Sequence, residues 1–129
     1  MASCLTVYYE SARPSLMENQ FIEINNVTSL DDFVAQLNDA PGVLFKHSDS
    51  CGVSARAYNE MSKLPHPIAL VVVQHARPVS DEIEKRWQIG HETPQVLVVK
   101  NGALLWNASH FQVKAVDVEA ALNEANGRS

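Results

Sequence analysis

Short apolar runs alternate with stretches of helical periodicity along most of this chain. Runs of strand length occupy residues 21–24, 43–46, 68–73, 96–99 and 104–106. Apolar positions recur with the three- to four-residue spacing of a helix face over 30–37, 52–61, 80–88 and 113–125. The pattern predicts the order β-α-β-α-β-α-β-β-α.

Several segment ends carry local signals. Ser29, with an acidic residue three positions later, resembles a capping box in front of the first helix. Ser80 is predicted to cap the third helix and Gly90 to end it. Asn101-Gly102 is the strongest short signal for a tight antiparallel hairpin. The sheet is therefore predicted to be mixed.

The same pattern divides the chain into two parts. Residues 1–20 have neither period, and we expect them to form an irregular N-terminal extension. Residues 21–129 have the length of one ordinary domain. A β-α-β unit, a crossing helix, a β-hairpin and a terminal helix make up the thioredoxin architecture, here with one extra strand and helix in front. The sequence therefore predicts an α/β thioredoxin-like fold in which helices flank a central mixed β-sheet.

Charge and hydropathy exclude several classes of partner. The formal charge is −5 and the lysines and arginines form no cluster, so neither nucleic acid nor an anionic membrane surface is an expected partner. The longest apolar run, 68–73, is far too short to span a bilayer, and the N-terminus lacks the basic start and apolar stretch of a secretory signal. We therefore expect a cytoplasmic protein without a membrane partner.

The chain has two cysteines, Cys4 and Cys51. In a reducing compartment such residues are more often reactive or buried than joined in a stabilising disulfide. Cys51 lies where an apolar run passes into a helical pattern. The unpaired N–H groups and partial positive charge of a helix N-terminus favour a thiolate at that position. The alternative interpretation is that Cys51 is simply a small buried apolar residue.

Cys51-Gly52-Val53-Ser54 has the spacing of a C-x-x-C motif whose second sulfur is replaced by a hydroxyl. A local dithiol exchange is therefore excluded, and a monothiol route remains. Ser54 has an alternative interpretation as a first-turn residue that satisfies a backbone N–H. Lys46 and His47 would favour ionisation of the thiol if they lay near it, whereas an inward Asp49 would oppose it.

Thr93-Pro94 comes just before the first strand of the hairpin. Thioredoxin folds place a cis-proline there, beside the reactive cysteine, where it holds a substrate chain in extended form. The dipeptide alone favours the trans isomer, because only about one X–Pro bond in twenty is cis in folded proteins. The location in the fold reverses that expectation, and we predict a cis bond at Pro94.

Three segments resemble the monothiol bacilliredoxin family: Leu44-Phe45-Lys46-His47-Ser48 leading to Cys51, His91-Glu92-Thr93-Pro94-Gln95, and Trp106-Asn107-Ala108-Ser109-His110. The resemblance covers roughly Met17 to the C-terminus. It implies a thioredoxin-like protein that removes bacillithiol, a small thiol, from modified protein cysteines. The family usually has proline after its cysteine and tryptophan after the Ser-His pair, whereas this chain has Gly52 and Phe111.

By this resemblance Cys51 is the nucleophile, no cofactor is tightly bound and bacillithiol is the co-substrate. The partners would be S-thiolated cytosolic proteins and the low-molecular-weight thiol. Substrate contacts are expected from the helix start, the residues around the proline and two histidines: Gly52, Val53, Ser54, Thr93, Pro94, Gln95, His47 and His91. The two histidines could bind the malate carboxylates of bacillithiol. With His110 and Cys51 they match no zinc spacing, so no metal site is predicted.

Two other functions fit the same pattern. A monothiol glutaredoxin-like protein would use glutathione, but it would need cationic groups for two carboxylates, and few basic residues lie near Cys51. A non-catalytic thioredoxin-fold adaptor or redox sensor would bind a partner and keep Cys51 without turnover. From the extension, Cys4 could in principle resolve a mixed disulfide at Cys51.

Overall fold

The computed structural model describes residues 20–127, and its helices and strands follow the predicted order. The strands are β1 (Phe21–Glu23), β2 (Gly42–His47), β3 (Ile68–Val72), β4 (Gln95–Lys100) and β5 (Ala103–Ser109). The helices are α1 (Val27–Gln36), α2 (Gly52–Met61), α3 (Arg77–Trp87) and α4 (Ala115–Asn126), and a 3₁₀ turn covers His110–Gln112. Cys4 and the predicted extension, apart from Gln20, lie outside the described residues.

The five strands form one mixed sheet in the order β1-β3-β2-β4-β5. β1, β3 and β2 run parallel, whereas β4 is antiparallel to β2 and β5 is antiparallel to β4. The parallel strands need the crossover helices, while Asn101 and Gly102 close the β4–β5 hairpin with φ of 52° and 79°. This arrangement confirms the predicted α/β thioredoxin-like fold.

Helices cover both faces of the sheet, because each strand sends successive side chains to opposite sides. On one side, which we call the α2 face, α2 and α4 pack against the strand residues that include Val43 and Phe45. On the other, the α3 face, α1 and α3 pack against residues that include Leu44 and Leu97. β2, β3 and β4 are therefore buried on both faces, which explains their nearly continuous apolar runs.

The first and last helices start at different residues from those predicted. Asn26, not Ser29, caps α1, and the Asn26 side-chain oxygen accepts the Ser29 N–H at 2.8 Å. An asparagine three positions earlier therefore takes the role assigned to the serine. α4 begins at Ala115 because the 3₁₀ turn and the extended Val113 precede it, and Val113 is buried in the core.

Both ends of α3 also differ from the prediction. The helix begins ahead of Ser80, and Pro78 lies in its first turn, where the missing N–H of proline removes no helical hydrogen bond. At the other end Gln88, rather than Gly90, adopts the left-handed conformation that ends a helix, with φ of 52°. Ser80 therefore lies inside the helix and does not cap it.

Gln20 ties the start of the described chain to the core. Its Nε2 donates to the Met61 carbonyl at 2.6 Å, and its own carbonyl accepts the Ile68 N–H at 2.6 Å. These bonds anchor the chain immediately before β1 to the end of α2 and the start of β3.

Candidate functional site

Cys51 is the N-cap residue of α2. Its backbone is extended, with φ of −119° and ψ of 127°, and its carbonyl accepts the Ala55 N–H at 3.0 Å. The side chain is half-buried, and among residues 20–127 it has no disulfide partner and makes no capping hydrogen bond. The sulfur therefore lies at the N-terminal end of a ten-residue helix, beside its first backbone N–H groups.

The first turn of α2 leaves open space beside the cysteine. Gly52 is exposed and Val53 is half-buried. Within residues 20–127, a β-carbon added at Gly52 would meet no heavy atom within 4 Å apart from its chain neighbours and its own helix backbone. A substrate chain can therefore approach the sulfur along this turn.

Ser54, one turn into α2, is fully buried and holds the loop that leads to the cysteine. Its Oγ accepts the Ser48 N–H at 2.9 Å and lies 2.7 Å from His47 Nδ1. The hydroxyl satisfies a buried backbone N–H, as its alternative interpretation proposed. Where a C-x-x-C motif has its second sulfur, this chain has an oxygen with a structural role.

His47 ends β2 on the α2 face. Its ring centroid lies 5.5 Å from that of Phe45 and 5.0 Å from that of Tyr58. Burial lowers the pKa of His47 below its ordinary value, and this outweighs the opposing attraction of the Asp49 carboxylate. At pH 7 His47 and Ser54 therefore form an uncharged hydrogen-bonded pair, one helical turn from the cysteine.

Gln74, which follows β3, braces the loop immediately before the cysteine. Its Nε2 donates to Ser48 Oγ at 2.8 Å and to Ser50 Oγ at 3.0 Å, and its Oε1 accepts the Asp49 N–H at 3.3 Å. The exposed Asp49 carboxylate lies 3.6 Å from His75 Nε2. The acidic side chain thus points to a surface histidine rather than inward.

The Thr93–Pro94 peptide bond is cis. Pro94 is buried, Thr93 is half-buried, and the Pro94 carbonyl accepts the His110 N–H at 2.9 Å. Lys46 faces Gln95 in the β2–β4 ladder, so Pro94 lies beside the end of β2, from which the chain continues to the cysteine. The sheet register thereby brings the proline loop (residues 91–94) and the start of α2 to the same end of the sheet.

A lysine and a histidine form a second polar pair, on the α3 face. Lys46 is fully buried, and its Nζ lies 2.7 Å from His91 Nδ1, which is also 3.2 Å from Ser80 Oγ. Burial lowers the pKa of Lys46 to about 8, against the attraction of three nearby carboxylates. Burial and the Lys46 charge lower the pKa of His91. At pH 7 the ammonium therefore donates to a neutral imidazole.

Gln95 does not make the substrate contact that was expected from the sequence. Its side chain is only 2% exposed, and it lies on the α3 face with Lys46. Its Nε2 donates to the Gly90 carbonyl at 3.1 Å, and its Oε1 has no hydrogen-bond partner among the described residues. The residue therefore supports the proline loop from the interior and cannot touch a substrate at the surface.

Two residues considered as positive charges that could favour ionisation of Cys51 lie on different sides of the sheet. Lys46 and His47 are consecutive in β2 and face opposite sides of the sheet, so Lys46 does not join His47 beside the cysteine. The two-residue period of the strand was the available signal. Gln74 was not predicted at all and Ser80 was predicted only as a helix cap, because nothing local marks a residue whose partner lies in a distant segment.

Two kinds of site are absent from residues 20–127. No three side chains of His, Cys, Asp or Glu are grouped so that they could hold a metal ion. His110 instead pairs with Glu92, with 3.2 Å between Nε2 and Oε1. No helix in this range is long and apolar enough to cross a membrane.

The fold and the half-buried thiol at a helix start are those of a thioredoxin-fold protein. A solved thioredoxin-fold protein described as a candidate oxidoreductase matches with a TM-score of 0.76 at 25% identity, covering 82% of this chain and 96% of that one. Thioredoxin from Fasciola hepatica matches with a TM-score of 0.66 at 11% identity, covering 80% and 97%. Mitochondrial thioredoxin 3 from Saccharomyces cerevisiae matches with a TM-score of 0.65 at 16% identity, covering 84% and 98%. The two thioredoxins support the fold alone.

The family model of monothiol bacilliredoxin BrxC matches residues 22–118. The chain therefore belongs to the monothiol bacilliredoxin family, which confirms the resemblance found in its motifs. Family and fold together support a role in thiol oxidoreduction.

Proposed function

We propose that this protein is a monothiol thiol–disulfide oxidoreductase that removes bacillithiol, or a similar low-molecular-weight thiol, from mixed disulfides on cytosolic protein cysteines. The observation that carries the proposal is the half-buried Cys51 at the start of α2 with the buried hydroxyl of Ser54 one turn later. The first supplies a nucleophile, and the second leaves the motif without a resolving sulfur. Membership of the family supports the same assignment.

In the first step the Cys51 thiolate attacks the bacillithiol sulfur of a protein–S–S–bacillithiol disulfide. A bond forms between Cys51 Sγ and that sulfur, the original S–S bond breaks, and the protein cysteine leaves as a thiolate that takes a proton from solvent. One thiol and one disulfide enter, and one of each leaves, so no other oxidant or reductant is required. The N-terminus of α2 stabilises the attacking anion.

In the second step a free low-molecular-weight thiol restores the protein. Its thiolate attacks the bacillithiol sulfur held on Cys51, forms a low-molecular-weight disulfide and releases the Cys51 thiolate. Ser54 has no sulfur to perform this attack from within the motif. Turnover therefore depends on the concentration of external thiol.

Two surfaces receive the protein substrate in this proposal. The open space at Gly52 admits a chain to the sulfur. Thr93 offers backbone hydrogen bonds to an extended chain, and Pro94 lies at the same end of the sheet as the reacting sulfur. Phe111, which is 60% exposed and lies under the Arg56 guanidinium at 5.6 Å, extends this surface next to the proline loop.

Incubation of the full chain with a bacillithiolated protein tests the proposal. Intact-mass spectrometry should find one bacillithiol on the chain, and peptide mapping should locate it on Cys51. Cys51→Ser should abolish the adduct. Cys4→Ser is the matched control because it removes the other sulfur, and it should leave both the adduct and its release by added thiol unchanged.

Each contrary result identifies a different alternative. Loss of thiol-dependent release in Cys4→Ser would overturn the monothiol mechanism, because Cys4 would then resolve the adduct. Transfer from glutathionylated but not bacillithiolated protein would indicate a glutaredoxin-like enzyme. Stable binding of a partner without any transfer would indicate an adaptor or sensor.

A further inference from the structure

A cleft of about 350 Å³ opens on the α3 face, between the start of α3 and the proline loop. Its polar lining consists of Gln74, Arg77, Ser80, Asp81, Glu84 and His91. This volume is within the range of sites that bind small molecules. The proposed exchange reaction, which needs only a sulfur and a protein surface, leaves the cleft without a role.

Two residues of the cleft connect it to the reacting end of the sheet. Gln74 lines the cleft and also bonds Ser48 and Ser50, in the loop that leads to Cys51. His91 lines the cleft and belongs to the proline loop. The cleft therefore lies between the two loops that flank the reacting sulfur in the proposed function.

Lys46, in the interior, determines which ring nitrogen of His91 carries the hydrogen. The protonated Lys46 has donors only, and its Nζ lies 2.7 Å from His91 Nδ1, so this nitrogen must accept. Ser80 Oγ is the other neighbour of Nδ1, at 3.2 Å. A neutral imidazole with an accepting Nδ1 carries its hydrogen on Nε2. The exposed His91 therefore presents an N–H donor.

The remaining lining mixes donors and acceptors of opposite charge. Asp81 and Glu84 accept hydrogen bonds, while Arg77 and Gln74 donate them. The two carboxylates are balanced by Arg77 and by Lys46 behind His91. Such a site suits hydroxyl groups, which donate and accept at once, together with a carboxylate for the guanidinium. It does not favour a bare polyanion.

We propose that this cleft is the subsite for the tail of the low-molecular-weight thiol, a tail that bears hydroxyl and carboxylate groups, as in malate-bearing bacillithiol. His91 donates to the tail through Nε2, Arg77 binds its carboxylate, and Lys46 is a positioning residue that acts through His91. The inference rests on the proposed function, because it locates the part of the thiol that Cys51 does not touch. The cleft thereby determines which small thiol is transferred from the mixed disulfide to Cys51.

The test compares three low-molecular-weight disulfides with the reduced full chain: bacillithiol disulfide, glutathione disulfide and bis(2-hydroxyethyl) disulfide. In each reaction the Cys51 thiolate displaces one thiolate and keeps the other half as a mixed disulfide. The second-order rate constant is followed by mass spectrometry. Selectivity is the rate constant for bacillithiol disulfide divided by that for bis(2-hydroxyethyl) disulfide, which has almost no tail.

His91→Leu and Arg77→Ala should each lower this selectivity about tenfold, as expected for the loss of one hydrogen bond to a charged group. His91→Gln keeps an N–H donor and should restore part of the loss, which a merely structural role would not predict. Lys46→Met should give an intermediate loss. Lys85→Ala is the matched control, because Lys85 lies on α3 outside the cleft, and it should leave the selectivity unchanged.

Melting temperatures of the variants ensure that folded proteins are compared. Selectivity within twofold of wild type in both His91→Leu and Arg77→Ala would overturn the subsite while leaving the proposed function intact. The proposed function itself fails if wild type forms no mixed disulfide with any of the three reagents, and it becomes a glutaredoxin-like one if only glutathione disulfide reacts. If only the corresponding ratio for glutathione disulfide fell in these variants, the hydroxyl-bearing tail would be overturned and the cleft would instead bind a peptide tail.

Discussion

The last two residues of β2 carry polar groups to opposite faces of the sheet and pair with different parts of the site. On the α2 face, His47 and Ser54 form an uncharged pair one turn from the nucleophile. On the α3 face, Lys46 donates to His91 and connects β2 to the proline loop. One strand end therefore supports both the nucleophile and the substrate loop, and the sheet keeps the two polar networks apart.

The two pairs differ in their effect on stability. A pKa lowered from 10.5 to about 8 means that the fold disfavours the charged form of Lys46, by roughly 3 kcal/mol at 1.36 kcal/mol per unit. His47 avoids a comparable penalty because it remains neutral at pH 7. The charge of Lys46 lowers the stability of the fold, so stability does not explain why a lysine is buried here. We therefore assign Lys46 the role of positioning His91.

The largest expected effect is on the α2 face, where Ser54→Cys should change the product of the reaction. The new sulfur would lie one turn from Cys51 on the same side of the helix and could attack the mixed disulfide, releasing bacillithiol. Intact-mass spectrometry should then show the loss of two hydrogens in place of the adduct. Ser62→Cys, at the opposite end of α2, is the control and should retain the adduct. A stable adduct on Ser54→Cys would contradict this prediction.

A smaller effect is expected on the α3 face, where Lys46→Met should raise the free energy of unfolding at pH 7 by about 1 to 3 kcal/mol. Methionine fills a similar volume without burying a charge. Because the pKa of Lys46 is lowered in the folded state, the unfolded chain binds more protons between pH 8 and 10.5, and wild-type stability rises with pH in that window.

The advantage of Lys46→Met should therefore shrink as the pH rises. Urea unfolding at pH 7 and at pH 10 measures the difference, and the exposed Lys85→Met serves as the matched control, with no expected change. An advantage of equal size at both pH values would show that the gain comes from packing and not from charge.

The smallest expected effect concerns acid, and it involves both faces. The pKa values of His47 and His91 are lowered by folding, so below pH 6.5 the unfolded chain binds more protons and stability falls. Melting temperatures at pH 5 and pH 7 should show this decline. His47→Asn and His91→Asn should each reduce this fall in melting temperature. The variant with the larger reduction would show which face contributes more to it. A melting temperature that is constant between these pH values would show that folding does not lower the pKa values of these two histidines.

The features that could be predicted from sequence are those that local pattern determines. The predicted span of α2 and its junction with β2 agree with the structure because apolar spacing and an N-terminal signal lie within a few residues of each other. Lys46 and His91, by contrast, are 45 positions apart, and no short-range signal links them. Gln95 was misjudged for the same reason: its burial depends on α3 packing over the sheet, which the local sequence does not reveal.

The hydroxyl of Ser54 also bears on how such a chain can change over generations. A cysteine at this position would add a second redox-active sulfur, but sulfur is a weak acceptor for the Ser48 N–H that now bonds the Ser54 oxygen at 2.9 Å. Leaving a buried N–H poorly bonded costs about 1 to 3 kcal/mol, a large fraction of the total stability of a small domain. A dithiol descendant of this lineage would therefore be less stable by about that amount unless another substitution compensated for it.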